Sequence, residues 1–512
     1  MVSNDVEKVP ETMGSKCELD TIDDCGKKPV VDVVHNDEAT RVLAAYTGDP
    51  EWTEQEEKSL VRKIDRRLLS LLFVSYGLQF YDKAILGQAA IFGFREDAGL
   101  NVGNRYSFAA SIFYLGFLIG AVPATLLAQR FPVERVISTI VFIWGGCLMA
   151  TAGCFNFRAV YVQRFFLGFL ESGVSPIFML SVGSFYTKKE QALRQGIWYS
   201  STGFVAIIAP LINYGLGHIN SGALKAWQYM FLLAGALTVL WAVVLFFYFP
   251  PDPIRVRGLN ERERYIAVSR LQSNNSGVRN THFKKEQVVE LLLDVKFWLL
   301  FAMGFLNMIP NGPGSSFIPI IINGFGFSQL NTMLLNMPYG LSAGIVNILL
   351  PYLAYKYKNM RCYIIMTGYA VAGVASILLW KLPRAEKGAL LFACYLFPIW
   401  GGSFGVTMGL ATANNAGYTK RSVASSGLFI GYTLGNFVAP LLFAQKDSPT
   451  FYPGWTAVMS CCCVAIVLTA VYRQYCVWEN NKRDRSGTAE GFEHAFEDDV
   501  TDKKNPQFRY MY

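Results

Sequence analysis

The 512-residue sequence predicts an all-α membrane protein with twelve transmembrane helices in two six-helix halves. Two observations support this prediction. First, 52% of the residues are apolar and 16% are charged, whereas an average soluble protein has roughly 25% charged residues. Second, the apolar residues stand in runs of about twenty, the length that crosses a hydrocarbon core of ~30 Å. Soluble, disordered and disulfide-rich secreted proteins are therefore excluded.

The apolar runs define twelve spans. They lie near residues 68–90, 106–128, 134–153, 159–185, 195–217 and 228–249 in the first half, and near 297–322, 331–354, 362–380, 388–413, 423–444 and 455–476 in the second. The corresponding domain organisation is a disordered cytosolic tail over 1–62, a bundle over 63–249, a cytosolic central loop over 250–296, a second bundle over 297–476 and a cytosolic tail over 477–512. The central loop is expected to carry a short amphipathic helix near 259–264.

The two halves resemble each other in sequence, which indicates an internal duplication. Residues 127–131, followed by Arg135, match residues 353–357, followed by Arg361, at a constant offset of 226 residues. Both stretches follow the second span of their half. Parallel halves of this kind are typical of one large class of secondary transporters, although basic loops can also match by coincidence.

The distribution of Lys and Arg predicts the orientation. With the N-terminus inside, the short inner loops hold ten basic residues and the outer loops eight. Arg62, Lys63, Arg66 and Arg67 at the first span strengthen the inner excess. Because basic residues favour the cytosolic side, both termini are expected in the cytosol.

Four charged residues lie well inside the apolar spans, away from the span ends. They are Asp82 and Lys83 in span 1 and Arg164 and Glu171 in span 4. A charge at the centre of the bilayer costs about 2.5–3.5 kcal/mol on the insertion scale. Such residues are expected to face the interior of the bundle and to pair, or to line a wet cavity. The alternative is that Asp82 and Lys83 lie at the outer interface and that Arg164 snorkels to the headgroups.

The spacing of these residues predicts two polar helix faces. Arg164 and Glu171 are seven residues apart, nearly two helical turns, so they project from one face. Gly168 between them would allow close approach of a helix or a ligand. Gln79 and Asp82 share a stripe of span 1 at helical spacing, and Gln79 is a candidate substrate contact. A carboxylate-bearing substrate would suit the two cations, and the two acids are candidates for proton transfer.

Polar residues of the second half give a weaker signal. Asn436 lies in the middle of span 11 and is a candidate substrate contact, although a helix–helix hydrogen bond is the alternative. Gly312 and Gly314 follow no strand, so they are expected to permit a helix break or close helix packing rather than to hold a phosphate. The ten cysteines show no paired spacing and the four histidines fall outside the spans. No cofactor or metal and no nucleic-acid partner is predicted, and the protein is expected to be a monomer in the lipid bilayer.

Several motifs resemble the fungal allantoate permease-type transporters, a group of the anion:cation symporter branch of the major facilitator superfamily. The likeness covers about residues 60–480 and is denser in the first half. It rests on residues 64–69, 82–83, 91–93, 104–107, 130–132, 164–168 and 198–200.

This resemblance implies a major facilitator fold and uptake of a small organic anion, such as a ureide, vitamin or sugar acid, together with protons. It implies that Asp82 and Glu171 couple protons and that Lys83 and Arg164 bind the substrate carboxylate. The plasma membrane is the expected location. Two alternatives remain: an exporter of a secondary metabolite belonging to a fungal biosynthetic gene cluster, and a nutrient sensor that does not transport. A membrane enzyme is the least favoured reading.

Overall fold

The computed structural model describes residues 46–485 and 501–512, apart from 50, 220–222, 252, 254, 257, 276–283, 358 and 449. The described chain forms helices and turns and no strand, and the twelve spans are present. Spans 1 to 6 are Glu54–Ala89, Arg105–Arg130, Val133–Ala150, Phe157–Glu171 with Val174–Phe185, Lys188–Tyr199 with Ser201–Leu216, and Ala226–Tyr248. Spans 7 to 12 are Val295–Met308 with Asn311–Ser316 and Ile318–Asn323, Gln329–Lys356, Arg361–Lys381, Lys387–Leu396 with Ile399–Ala413, Tyr418–Leu441, and Tyr452–Arg485.

The twelve spans differ in length and in how apolar they are. Among the described residues, eight helices are long and apolar enough to cross a membrane, and they correspond to spans 2, 3, 5, 6, 8, 9, 10 and 12. Span 4 breaks after Glu171. Span 7 breaks on both sides of Asn311–Ser316, where Pro310 and Pro319 each lack a backbone donor. The Gly-rich segment of span 7 is therefore a short helix with a break at each end, so the helix breaks that the sequence predicts lie beside it.

The packing of the spans confirms the two-half architecture. In the first half, span 3 packs on span 6, span 2 on span 4, and span 1 on span 5. In the second half, span 9 packs on span 12, span 8 on span 10, and span 7 on span 11. These pairs correspond under an offset of six spans, so the fold repeats the duplication seen in the sequence.

The halves meet through spans 2 and 11 and through spans 5 and 8. We call the side of the molecule that carries Glu54 and Arg485 the terminal side, and the opposite side the far side. At the far side, the hydroxyl of Tyr106 donates to the carbonyl of Ser316 (2.8 Å) and that of Ser107 to the carbonyl of Phe443 (2.6 Å). These hydrogen bonds join the halves at the far side.

Span 1 begins at Glu54, inside the segment 1–62 that the sequence assigns to a disordered tail. Thr53 and Glu56 form a capping box, which satisfies backbone donors of the first turn. Arg262, from the helix Glu261–Asn275 in the central loop, donates to the Glu56 carboxylate (2.8 Å). These contacts explain why the helix extends beyond the apolar run. The helix expected near 259–264 thus forms and packs on span 1.

Gly168 lies where span 4 touches span 2. A Cβ atom at this position would collide with the backbone carbonyl of Phe113. The space that the sequence predicts at Gly168 is therefore filled by a neighbouring helix, which holds Arg164 and Glu171 against span 2.

We expect Gly168→Ala to destabilise the first half by about 1–3 kcal/mol, because an added methyl in a close-packed contact forces the helices apart. The measurement is the thermal unfolding midpoint of the detergent-solubilised protein. Gly146→Ala on span 3 is the matched control, since a Cβ atom added at Gly146 would have no neighbour within 4 Å and alanine has the higher helix propensity. Equal midpoints for the two variants would contradict the prediction.

Candidate functional site

Four charged side chains come together inside the first half. Asp82 and Glu171 are fully buried and Arg164 is 2% exposed. The Lys83 ammonium nitrogen lies 3.7 Å from a carboxylate oxygen of Glu171. We call these four residues the charge cluster. Its acids and Arg164 do not point into lipid, so the structure places these predicted side chains inside the bundle.

Gln79 connects span 1 to span 4 beside the charge cluster. Its side-chain nitrogen donates to the backbone carbonyl of Glu171 (3.1 Å). Glu171 is the last residue of the first helix of span 4, where backbone carbonyls lose their helical partners. Gln79 thereby satisfies a helix end and fixes the position of Glu171. Its side-chain oxygen is buried without a hydrogen-bond partner.

Asp82 and Arg164 lie deeper in the first half. Asp82 interacts electrostatically with Glu171, Arg164 and Lys83. Among the described residues, no donor makes a hydrogen bond of good geometry to either carboxylate oxygen of Asp82 or of Glu171, and the Nε and Nη2 atoms of Arg164 have no acceptor. Buried polar groups without partners are costly. The hydrogen-bonding capacity of the charge cluster is therefore not used up by the protein.

The charge cluster is electrically balanced in its ionised form. Two carboxylates face one ammonium and one guanidinium, so the formal sum is zero. An uncompensated buried charge costs several kcal/mol. Adding one substrate anion would upset this balance, and adding one proton to a carboxylate would restore it. The arrangement can thus link the binding of an anion to the uptake of a proton.

Lys83 is the exposed member of the charge cluster. Its side chain is 23% exposed, whereas that of Glu171 is fully buried. The ammonium lies 5.5 Å from the ring centroids of Phe113 and Phe117 on span 2, within range of a cation–π attraction. A ligand can reach the cluster most directly at Lys83.

Asn436 joins two helices of the second half. Its side-chain oxygen accepts from Asn311 on span 7 (2.6 Å), and its nitrogen donates to the carbonyl of Tyr432 (2.9 Å). Both ends of the carboxamide therefore have protein partners in this arrangement. A substrate contact at Asn436 stays a prediction, and it would require these bonds to rearrange.

Several residues of the site region were not singled out as site residues from the sequence. Trp144 on span 3 lies next to Asp82, and Tyr432 on span 11 lies near Glu171. The indole of Trp241 on span 6 donates to the hydroxyl of Ser75 (2.8 Å). These residues come from distant helices and are ordinary in an apolar span, so hydropathy and spacing carry no signal for them.

Comparisons with known proteins agree with the fold. The Major Facilitator Superfamily model matches residues 72–441. Allantoate permease of Saccharomyces cerevisiae is 32% identical over 491 residues, which cover 93% of this chain and 90% of that protein. The thiamine pathway transporter THI73 of the same yeast is 31% identical over 456 residues, which cover 88% of this chain and 86% of that protein.

Solved structures show the same architecture. The crystal structure of a bacterial homologue of the human lysosomal transporter Spinster, in an inward-facing and occupied conformation, matches with a TM-score of 0.59. The match covers 80% of this chain and 95% of that chain at 15% identity. At this identity the likeness concerns the fold.

Proposed function

Because this chain belongs to the allantoate permease-like family of the Major Facilitator Superfamily, we propose that it carries a small organic anion across the membrane together with protons. The observation that carries this proposal is the buried charge cluster, in which Lys83 contacts Glu171 at 3.7 Å. The transporter is a multi-pass membrane protein. In this proposal it works as a monomer in the plasma membrane with both termini in the cytosol.

The proposed coupling depends on competition for Lys83. While Glu171 is ionised, it holds the ammonium group. A proton on Glu171 weakens that attraction and leaves Lys83 available to the carboxylate of the substrate. Arg164 supplies a second cation with a planar fork that suits a carboxylate. Asp82 is the second acid that can hold a proton while the substrate is bound.

Transport then follows from alternating access of the two halves. The hydrogen bonds of Tyr106 and Ser107 close the far side between the halves. Breaking these bonds while the terminal side closes would expose the charge cluster to the other compartment. Gln79 on span 1, which bonds to span 4, would keep the first half together during this motion and offer its free oxygen to the substrate.

Uptake into proteoliposomes tests the proposal. The probes are labelled allantoate, chosen because one relative is an allantoate permease, and one vitamin carboxylate and one sugar acid. We expect at least one anion to accumulate when the outside is more acidic than the lumen, and to equilibrate without accumulation when a protonophore removes the gradient. Accumulation unaffected by the protonophore would contradict proton coupling.

The same vesicles separate import from export. A symporter accumulates its substrate when the outside is acidic, whereas a proton antiporter accumulates it when the lumen is acidic. Accumulation of an anion only in acid-loaded vesicles would therefore favour the alternative function, export of a secondary metabolite. Binding of an anion with no flux in either gradient would favour a nutrient sensor.

A further inference from the structure

Residues 501–512 pack against the terminal side of the second half, and we call them the C-terminal segment. Asp502 in this segment is fully buried, Thr501 is 2% exposed and Tyr510 is 3% exposed. The sequence predicts this region to be a cytosolic tail, yet these polar side chains are as buried as the apolar core. Such burial requires a matching set of partners.

Asp502 lies between two lysines from different spans. Its carboxylate is 2.8 Å from the ammonium of Lys296 on span 7 and 2.7 Å from that of Lys420 on span 11. The hydroxyl of Tyr510 donates to the same carboxylate (2.7 Å). Burial alone would raise the pKa of Asp502, but the two lysines outweigh burial and lower the pKa to about 2. Asp502 is therefore ionised at neutral pH.

Two further acidic groups beside these lysines come from the end of the central loop. Asp294 lies 3.5 Å from Lys296 and 3.6 Å from Lys420. Glu290 lies 2.8 Å from Lys420 and accepts from the hydroxyl of Thr501 (3.0 Å). The lysines thus have local partners, and Asp502 joins them to each other across the two spans.

Spans 10 and 12 also contact the C-terminal segment. Arg483 on span 12 donates to the carbonyls of Asp502 (3.0 Å) and Phe508 (2.7 Å). Asn414, which follows span 10, donates to the carbonyl of Met511 and accepts from its amide, both at 2.7 Å. All of these hydrogen bonds involve backbone atoms of the C-terminal segment, so they depend on its backbone conformation.

We propose that the terminal side of the second half is a binding site for the C-terminal segment, and that the bound segment ties spans 7, 10, 11 and 12 together so that they move as one body. Asp502 is the central contact. A rigid second half is what a rocking motion of two bundles needs, because a bundle whose ends slide apart does not transmit rotation. In this proposal the C-terminal segment is a structural part of the second half and moves with it.

Hydrogen exchange of the full-length protein in detergent, followed by mass spectrometry, tests this proposal. Asp502→Asn removes one partner of a buried ion pair, and such a change strongly lowers the stability of other proteins. We therefore expect the amides of residues 501–512 to exchange roughly a hundredfold faster. Amides near Phe297, Ala424 and Tyr472 on spans 7, 11 and 12 should also lose protection, whereas span 3 in the first half should not change.

Two further variants keep the test decisive. Asp484→Asn is the matched control, because Asp484 pairs with Arg509 in the same region but both side chains are exposed (61% and 39%), and exposed pairs contribute little. Tyr510→Phe removes a single hydroxyl and should give a smaller acceleration if Asp502→Asn fails to fold. Unchanged exchange of residues 501–512 in both variants would overturn the binding site. Release of the segment with unchanged exchange in spans 7, 11 and 12 would overturn its role in tying them together.

Discussion

Glu171→Gln is expected to abolish proton-driven accumulation while it preserves exchange of labelled for unlabelled substrate. The amide has nearly the same shape as the protonated acid but cannot release a proton. Lys83, which lies 3.7 Å from Glu171, would then be available to the substrate in both orientations of the carrier. One proton carried with one monovalent anion supports about tenfold accumulation per pH unit. The variant should therefore fall from that ratio to equilibration.

The measurement compares net accumulation with counterflow in the same preparation of proteoliposomes. Glu96→Gln is the control, because Glu96 is exposed and its carboxylate lies 3.9 Å from Arg95, away from the charge cluster. Loss of counterflow in Glu171→Gln would show that the residue serves the structure or the substrate directly. Intact accumulation would assign the coupling proton to another group, with Asp82 as the next candidate.

Arg164→Gln is expected to have the largest effect on substrate affinity. It removes the buried guanidinium and leaves Asp82 and Glu171 facing Lys83 alone. Losing one member of a hydrogen-bonded charge pair costs about 2 kcal/mol or more, which corresponds to an increase in KM of about thirtyfold or more. Arg164→Lys keeps the charge but loses the fork, so its KM should lie between those of the wild type and Arg164→Gln.

Initial rates over a range of anion concentrations give the KM of each variant. Arg158→Gln is the control on the same helix, since Arg158 is exposed at the start of span 4. A KM in Arg164→Gln equal to that of the wild type, with normal expression and folding, would remove Arg164 from the binding site. A matching loss in Arg158→Gln would point to a general effect of positive charge on the local concentration of the anion.

The charge cluster could be predicted because charged residues are costly, and therefore rare, within apolar spans. Asp82 and Glu171 stand out by polarity alone, and the seven-residue spacing of Arg164 and Glu171 fixes their common face. The contact of Gln79 with span 4 could not be predicted in detail, because it depends on where span 4 breaks. That break follows Glu171.

Contacts between distant parts of the chain were beyond prediction from one sequence. Asp502 is 206 residues from Lys296, and nothing in the composition of 477–512 signals that its end returns to the bundle. The pairing of Asn436 with Asn311 likewise depends on the packing of spans 7 and 11. Residue spacing within one helix predicts that helix and its polar and apolar faces. Which helices become neighbours depends on the packing of the whole chain, so contacts between them cannot be predicted from spacing.

The far-side bonds have a consequence for how easily the carrier changes its orientation. Their donors are consecutive residues, Tyr106 and Ser107, and both acceptors are main-chain carbonyls. A typical hydrogen bond contributes about 0.5–1.5 kcal/mol net, so the two bonds add only a modest stabilisation to the apolar packing of the far side, where the Tyr106 ring contacts that of Phe317. A ligand shifts the equilibrium between the two orientations by the difference between its binding free energies in them. Every residue has a backbone carbonyl. A substitution of the side chain at Ser316 or Phe443 would therefore leave both acceptors of the far-side hydrogen bonds in place.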